Sequence, residues 1–112
     1  MNNTTTTNPE PALMERVLLA IEASCLANIG EAYRQQGRNA EAEKSWLEAL
    51  DLMAKAGPHP DRARVLCSLG CLFLDSGRPA QASAFLATAL TFYRGQRAAL
   101  LAKHKEAAPT RN

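Results

Sequence analysis

The sequence contains few aromatic and few β-branched residues, which argues against a β-sheet. Phe, Trp and Tyr make up 5% of the 112 residues. Ala and Leu, both strong helix formers, dominate the 46% that is hydrophobic. The length allows one domain at most. Composition therefore predicts a single all-α domain.

Several chemical signatures are missing. The chain has no run of about 18 apolar residues that would span a membrane, and its N-terminus does not look like a secretory signal. It contains no phosphate-binding glycine loop and no nucleophile-plus-base motif. We therefore expect a non-catalytic protein in the cytoplasm, with no membrane association, no metal and no cofactor.

The net charge of +2 is too small to indicate a nucleic-acid partner. Its distribution is uneven, because residues 1–56 carry 5 Lys/Arg against 8 Asp/Glu, whereas residues 57–112 carry 8 against 3. The two halves would attract each other between molecules, and the basic half would attract an acidic partner. An uneven solvated surface is the simpler interpretation.

The sequence repeats itself at a spacing of 40 residues. Small residues match small ones and large apolar residues match large ones in one register. The matched pairs are Gly30/Gly70, Tyr33/Phe73, Gly37/Gly77, Ala42/Ala82, Ala49/Ala89, Leu26/Leu66, Ile29/Leu69, Trp46/Leu86 and Leu50/Leu90. A fixed period of this length indicates stacked helical units.

Apolar spacings of three and four residues predict four helices. They run from Ala12 to Gln36, from about Asn39 as the cap to Ala56, from near Asp61 to before Gly77, and from Pro79 to about Glu106. The first carries Leu13, Val17, Leu18, Ile21, Cys25, Ile29 and Tyr33, and the third carries Val65, Leu66, Leu69, Leu72 and Phe73. We expect residues 1–9 and 107–112 to be disordered tails around a helical domain, 10–106.

These residues resemble the tetratricopeptide (TPR) repeat over about residues 23–96. The matching positions are Leu26, Ile29, Gly30, Tyr33, Ala42 and Trp46 in a first repeat, 23–56, and Leu66, Leu69, Gly70, Phe73, Ala82 and Leu86 in a second, 63–96. The period exceeds the usual ~34 residues. The longer form, with Gly57-Pro58-His59-Pro60-Asp61 between repeats, is similar to that of kinesin light chains, whose junction is one residue longer.

The resemblance implies an α–α superhelix, a solenoid of two helix–turn–helix repeats, here with extended terminal helices. TPR proteins generally bind protein or peptide segments in a concave groove lined by the first helix of each pair. The residues expected to face that groove are Ser24, Ala27, Asn28, Glu31, Arg34 and Gln35 in the first repeat, and Arg64, Cys67, Ser68, Cys71 and Asp75 in the second.

Asn28 and Arg64 match positions of the carboxylate clamp found in TPR co-chaperones of heat-shock proteins. Ser68 stands where that clamp requires a basic residue, and the third repeat is missing. An amide and a guanidinium can also grip a peptide backbone or carboxylate without a complete clamp. The alternative is that both are ordinary solvated or capping residues.

A second hypothesis is self-assembly, because solenoids generally need three or more repeats to bury a continuous core. The long terminal helices could cap the two-repeat unit as a monomer, or a second copy could complete it. We expect the second copy, giving a homodimer. The candidate interface residues are Leu13, Val17, Leu18, Phe92, Leu100 and Leu101.

A third hypothesis is a thiol or metal site formed by Cys25, Cys67 and Cys71. The spacing favours small packing residues instead, since no CxxC motif is present. We expect Trp46 to be a core anchor between helices, and His59 to be structural rather than catalytic.

Overall fold

The computed structural model describes residues 9–107, in which it contains four α-helices and no strand. The helices are α1 (Pro9–Gln35), α2 (Asn39–Ala56), α3 (Arg62–Asp75) and α4 (Pro79–Ala107). The predicted all-α class with two helix–turn–helix repeats is confirmed.

The predicted tails, residues 1–9 and 107–112, lie almost entirely outside the described residues. α1 begins at Pro9 and α4 ends at Ala107, so the helical part is one residue longer at each end than the expected domain, 10–106. No helix of the described part is long and apolar enough to cross a membrane.

The chain divides into two compact units. Unit 1 ends at Val65 and contains α1, α2 and the first turn of α3. Unit 2 begins at Leu66 and contains the rest of α3 and α4.

A two-residue turn reverses the chain between α1 and α2. Gly37 has a φ of 77°, in the left-handed region that glycine enters without steric cost. Its N–H donates to the Arg34 carbonyl at 2.9 Å, and the Arg38 N–H donates to the Tyr33 carbonyl at 2.9 Å. These two hydrogen bonds define a Schellman motif, which satisfies the last carbonyls of α1.

The second turn repeats this geometry in unit 2. Gly77 has a φ of 75°, and its N–H donates to the Leu74 carbonyl at 3.1 Å. The Arg78 N–H donates to the Phe73 carbonyl at 2.8 Å, and the Arg78 guanidinium lies 4.6 Å from the centre of the Phe73 ring. The sequence repeat is therefore also a repeat of local structure.

The expected cap of α2 at Asn39 is wrong, because Asn39 is already helical and Arg38 is the N-cap. In so short a turn, the residue that closes the Schellman motif also opens the next helix. The Arg38 carbonyl accepts from the Ala42 N–H, while its guanidinium stacks 4.5 Å from the centre of the Tyr33 ring and donates to Glu41 at 2.7 Å. No side-chain hydrogen bond caps this helix.

Trp46 occupies the contact between α1 and α2, as predicted. The indole is fully buried, and its Nε1–H donates to the Ala27 carbonyl at 3.0 Å. The α1 surface that it covers is made of small residues, with Ala23, Ala27 and Gly30 all buried. Small residues on one helix thus make room for the largest side chain of the other.

The large apolar residues of the predicted α1 stripe are exposed, contrary to what an amphipathic helix normally does. Leu13, Val17, Leu18, Ile21 and Ile29 are all at least 44% exposed. Their side of α1 is opposite the small-residue face that packs against α2. The number of apolar residues in a helix does not show which of its two apolar faces another helix will cover.

In unit 2 the predicted α3 stripe is buried. Leu69, Leu72 and Phe73 are at most 3% exposed. Phe73 meets Phe85 of α4 edge to face, with the ring centres 5.2 Å apart. α4 continues without interruption through Gly95.

We expect Gly30→Ala to lower the free energy of unfolding by about 1–3 kcal/mol, because overpacking strains a filled contact. A methyl group at Gly30 would lie 2.5 Å from Cδ1 of the Trp46 indole. Gly95→Ala is the matched control, since no atom lies within 4 Å of the added methyl. Helix propensity should make that variant more stable, by up to about 1 kcal/mol.

Urea unfolding followed by far-UV circular dichroism measures both changes. Equal effects of the two substitutions would contradict the close approach of α2 to α1 at Gly30.

Candidate functional site

Four polar side chains share one face of α1. Ser24, Asn28, Glu31 and Gln35 follow one another at intervals of three and four residues, which aligns them along the helix. Asn28 and Gln35 are exposed, and Ser24 and Glu31 are half-buried. This exposed polar face carries most of the predicted binding residues of unit 1.

Ala27 was expected to belong to this face, and that prediction is wrong. A residue adjacent to Asn28 is rotated from it by about 100° around the helix axis. Ala27 accordingly faces α2, is fully buried and accepts the Trp46 hydrogen bond through its carbonyl.

Glu31 is the centre of a hydrogen-bonded group. Arg34 donates to its carboxylate from Nε at 3.3 Å and from Nη2, and the Gln35 amide donates at 3.2 Å. The hydrogen bond from Arg34 is the main reason why the pKa of Glu31 falls below 4.5. The hydrogen bond from Gln35 and the charges of Arg34 and Arg64 also lower this pKa, whereas partial burial raises it. Glu31 therefore stays ionised at neutral pH, and its charge is matched by Arg34.

Arg64 lies in the first turn of α3. Its guanidinium is 3.7 Å from the Asp61 carboxylate, and its side chain is 42% exposed. This separation is longer than the donor–acceptor distance of a normal charge-assisted hydrogen bond. Since its charge contributes to the lowered pKa of Glu31, Arg64 is electrostatically coupled to the polar face of α1. The guanidinium thus retains donors that a ligand can use.

The remaining candidates belong to unit 2 and lie along α3. Ser68 is half-buried, whereas Cys71 and Asp75 are exposed. Cys67 is half-buried, and burial, followed by the neighbouring Cys71, raises the pKa of its thiol. A raised pKa keeps Cys67 protonated and makes it a poor nucleophile and metal ligand.

The expectation that the cysteines are buried packing residues is wrong for two of the three. Cys25 and Cys71 are exposed, and Cys67 is half-buried. Within the described part of the chain, no three His, Cys, Asp or Glu side chains are grouped so that they could hold a metal ion. The exposed positions reflect helical register, which turns these small residues away from the packed faces.

The structure brings together three residues that the sequence did not connect: Ser24, His59 and Asp61. His59 is 8% exposed. Its Nε2 lies 3.0 Å from the Ala20 carbonyl and 3.2 Å from Ser24 Oγ, and its Nδ1 accepts from the Asp61 N–H at 3.0 Å. Ser24 Oγ also donates to the Asp61 carboxylate at 3.3 Å. The chain between α2 and α3 is thereby attached to α1.

This group contains the residue types of a serine hydrolase triad but not its arrangement. A backbone N–H always donates, so Nδ1 of the neutral ring carries no proton and the proton sits on Nε2. Nε2 therefore donates to the Ala20 carbonyl and cannot accept a hydrogen bond from the Ser24 hydroxyl. That hydroxyl donates its hydrogen bond to the Asp61 carboxylate instead. A triad requires the opposite: a carboxylate on Nδ1–H and a free Nε2. The expected structural role of His59 agrees with these contacts.

The six candidate interface residues all lie at the surface. Exposure is 39% for Phe92 and between 49% and 69% for the others, which are Leu13, Val17, Leu18, Leu100 and Leu101. From Leu90 to Glu106 every residue of α4 is exposed. The second half of α4 is therefore not packed against the rest of unit 2.

One comparison with known proteins gave a match. A family model described as tetratricopeptide repeat matches residues 22–95, which is more than half of the chain. Searches of curated proteins and of solved structures returned no match.

We expect His59→Ala to lower the free energy of unfolding by about 1–3 kcal/mol, because it leaves the Ala20 carbonyl and the Asp61 N–H without their partner. His104→Ala is the matched control, since His104 is exposed near the end of α4. Urea denaturation gives both values. A similar loss in both variants would mean that the contacts of His59 do not stabilise unit 1.

Proposed function

The chain belongs to the tetratricopeptide repeat family, and we propose that it binds a protein or peptide segment through the first helix of each repeat, as an adaptor or assembly subunit in the cytoplasm. Repeats of this family generally mediate protein–protein interaction and are typically non-catalytic. The observation that carries the proposal is the exposed polar face of α1 with Arg64 beside it.

Asn28 and Arg64 are the residues best suited to hold the segment. The exposed Asn28 amide offers both a donor and an acceptor, as a peptide backbone requires. Arg64 offers a guanidinium only loosely paired with Asp61, which suits a carboxylate on the ligand. Glu31 and Arg34 satisfy each other, so they contribute shape and a fixed dipole more than net charge.

The exposed face of α1 changes character along the helix. Leu13, Val17 and Ile21 precede Ser24 and Asn28 on the same side, at intervals of three and four residues. A bound segment lying along this face would therefore meet apolar side chains at one end and polar ones at the other. This pattern favours a partner with an apolar stretch followed by polar or acidic residues.

In unit 2 the corresponding candidates are Ser68, Cys71 and Asp75 on α3. They offer a hydroxyl, a thiol and a carboxylate, and Ser68 supplies no positive charge for a second carboxylate contact. We therefore propose recognition by shape and backbone hydrogen bonds, with Arg64 as the main charged contact.

We also propose that the repeats are of the longer type that resembles kinesin light chains. The 40-residue period and the junction Gly57-Pro58-His59-Pro60-Asp61 support this. In unit 1 that junction is held by the His59 hydrogen bonds to α1, so its extra length has a structural use.

The test of binding uses peptides selected from a random display library on the complete chain, with affinity measured by titration calorimetry. We expect Arg64→Ala to weaken binding of the selected peptides about tenfold, because hydrogen bonds to charged groups contribute about 1.5–3 kcal/mol. Arg62→Ala is the matched control: it removes the same charge two residues away, from an exposed position on another side of α3.

That control should change affinity by less than about twofold. If both variants bind equally well, or if both lose the same amount, Arg64 does not contact the segment.

A second proposed function is self-association into a homodimer. The six candidate residues at the two ends of the chain support this proposal, because all of them are exposed. Large apolar side chains in water raise the free energy of the monomer, and burial in an interface would remove that cost.

We expect the complete chain to elute at twice its own mass and Leu100→Glu/Leu101→Glu to elute at its own mass, since charges at an apolar interface oppose association. Leu47→Glu/Leu74→Glu is the control, because both of these leucines are exposed elsewhere. Light scattering behind size exclusion measures all three. If both double variants keep the wild-type mass, the end of α4 is not part of the interface.

A further inference from the structure

The second half of α4 is an exposed surface that is not packed against the rest of unit 2. It exposes Leu90, Phe92, Tyr93, Leu100 and Leu101 over seventeen consecutive exposed residues. A helical segment of about this length is marginal in water on its own and gains most of its stability from packing. Something that covers this face would therefore stabilise the helix it belongs to.

The charges on this surface are almost all positive. Arg94, Arg97, Lys103 and Lys105 are exposed there, against the single acid Glu106. Leu101 lies four positions from both Arg97 and Lys105, so the three side chains form one row along the helix. A row of this kind favours a partner that presents an apolar side chain between two acids.

Leu90, Tyr93, Arg94 and Arg97 line a shallow and open part of the same half of α4, and all four side chains are exposed. Apolar and cationic side chains are therefore adjacent on this surface.

The first half of α1 presents the complementary pattern. Leu18 is 62% exposed and lies between Glu15 and Glu22, three and four positions away on the same side of the helix. Met14 and Ile21, both more than half exposed, extend the apolar surface around it. One chain therefore contains both an acidic apolar helix segment and a basic apolar one, each exposed.

We propose that the first half of α1 in one copy binds the second half of α4 in another copy, with Glu15 and Glu22 paired to Arg97 and Lys105, which flank Leu101 as the two acids flank Leu18. This inference rests on the proposed self-association and specifies which faces meet.

Like-with-like pairing is disfavoured on both surfaces. Two α4 segments in contact would bring their cations together, and two α1 segments would bring their glutamates together. In a dimer with twofold symmetry, α1 of each copy contacts α4 of the other. Like charges at an interface oppose association, and opposite charges speed it and fix register. Only the pairing of α1 with α4 places opposite charges in contact while covering apolar residues on both sides.

The test is a charge exchange between two variants of the complete chain. One carries Arg97→Glu/Lys105→Glu and the other carries Glu15→Arg/Glu22→Arg. Each alone should associate at least about tenfold more weakly than wild type, because its α1 and α4 surfaces then repel each other. An equimolar mixture should regain association, because each variant supplies the surface that the other requires.

The control is Lys44→Glu/Arg62→Glu, which changes net charge as much as the first variant does at exposed positions on neither surface. Analytical ultracentrifugation gives the dissociation constants, and circular dichroism confirms that helicity is unchanged. The neutral variant Arg97→Gln/Lys105→Gln should fall between wild type and the charge reversal. Added salt should weaken the wild-type complex.

Two results separate failure of this pairing from failure of self-association. If wild type is a monomer at all concentrations, self-association is wrong and the pairing with it. If wild type associates but the charge reversals do not weaken it, or the mixture does not recover, the chain self-associates through other faces and the pairing alone is overturned.

Discussion

The contact between Gly30 and Trp46 is the constraint on which unit 1 depends. Because α1 carries only Ala and Gly side chains where α2 approaches, the indole can lie flat against the helix and donate its hydrogen bond to a backbone carbonyl. This position of α2 sets where its C-terminus lies, and hence where the chain enters α3. The His59 hydrogen bonds attach the junction that precedes Arg64 to α1, and the charge of Arg64 contributes to the lowered pKa of Glu31.

The same packing explains why large apolar residues of α1 are exposed. A helix has room for one close partner on a given side, and the small-residue face is the one that α2 covers. The side with Leu13, Val17 and Ile21 is then left uncovered in unit 1. Large apolar side chains of this kind are normally buried. In unit 1 they form a surface that is available to another molecule.

The two proposed uses of α1 overlap. The polar part of its face, with Asn28 and Glu31, suits a peptide segment, whereas the apolar part around Leu18 suits another helix. Ile21 belongs to both proposed contacts, so a segment that extends onto the apolar part would compete with a second copy for α1.

The sequence by itself determined the helices, their turns and the repeat, because these follow from local periodicity, from glycine at the left-handed positions 37 and 77, and from matched small and large residues. It also identified Trp46 as a core anchor. Only the tertiary structure decided which face of α1 is buried, since two apolar faces compete and packing selects the one that admits an indole. It likewise decided the Ser24–His59–Asp61 group, because Ser24 lies 35 residues from His59 along the chain, and the exposure of the second half of α4 within unit 2. Long-range contacts leave no periodic signal in the sequence.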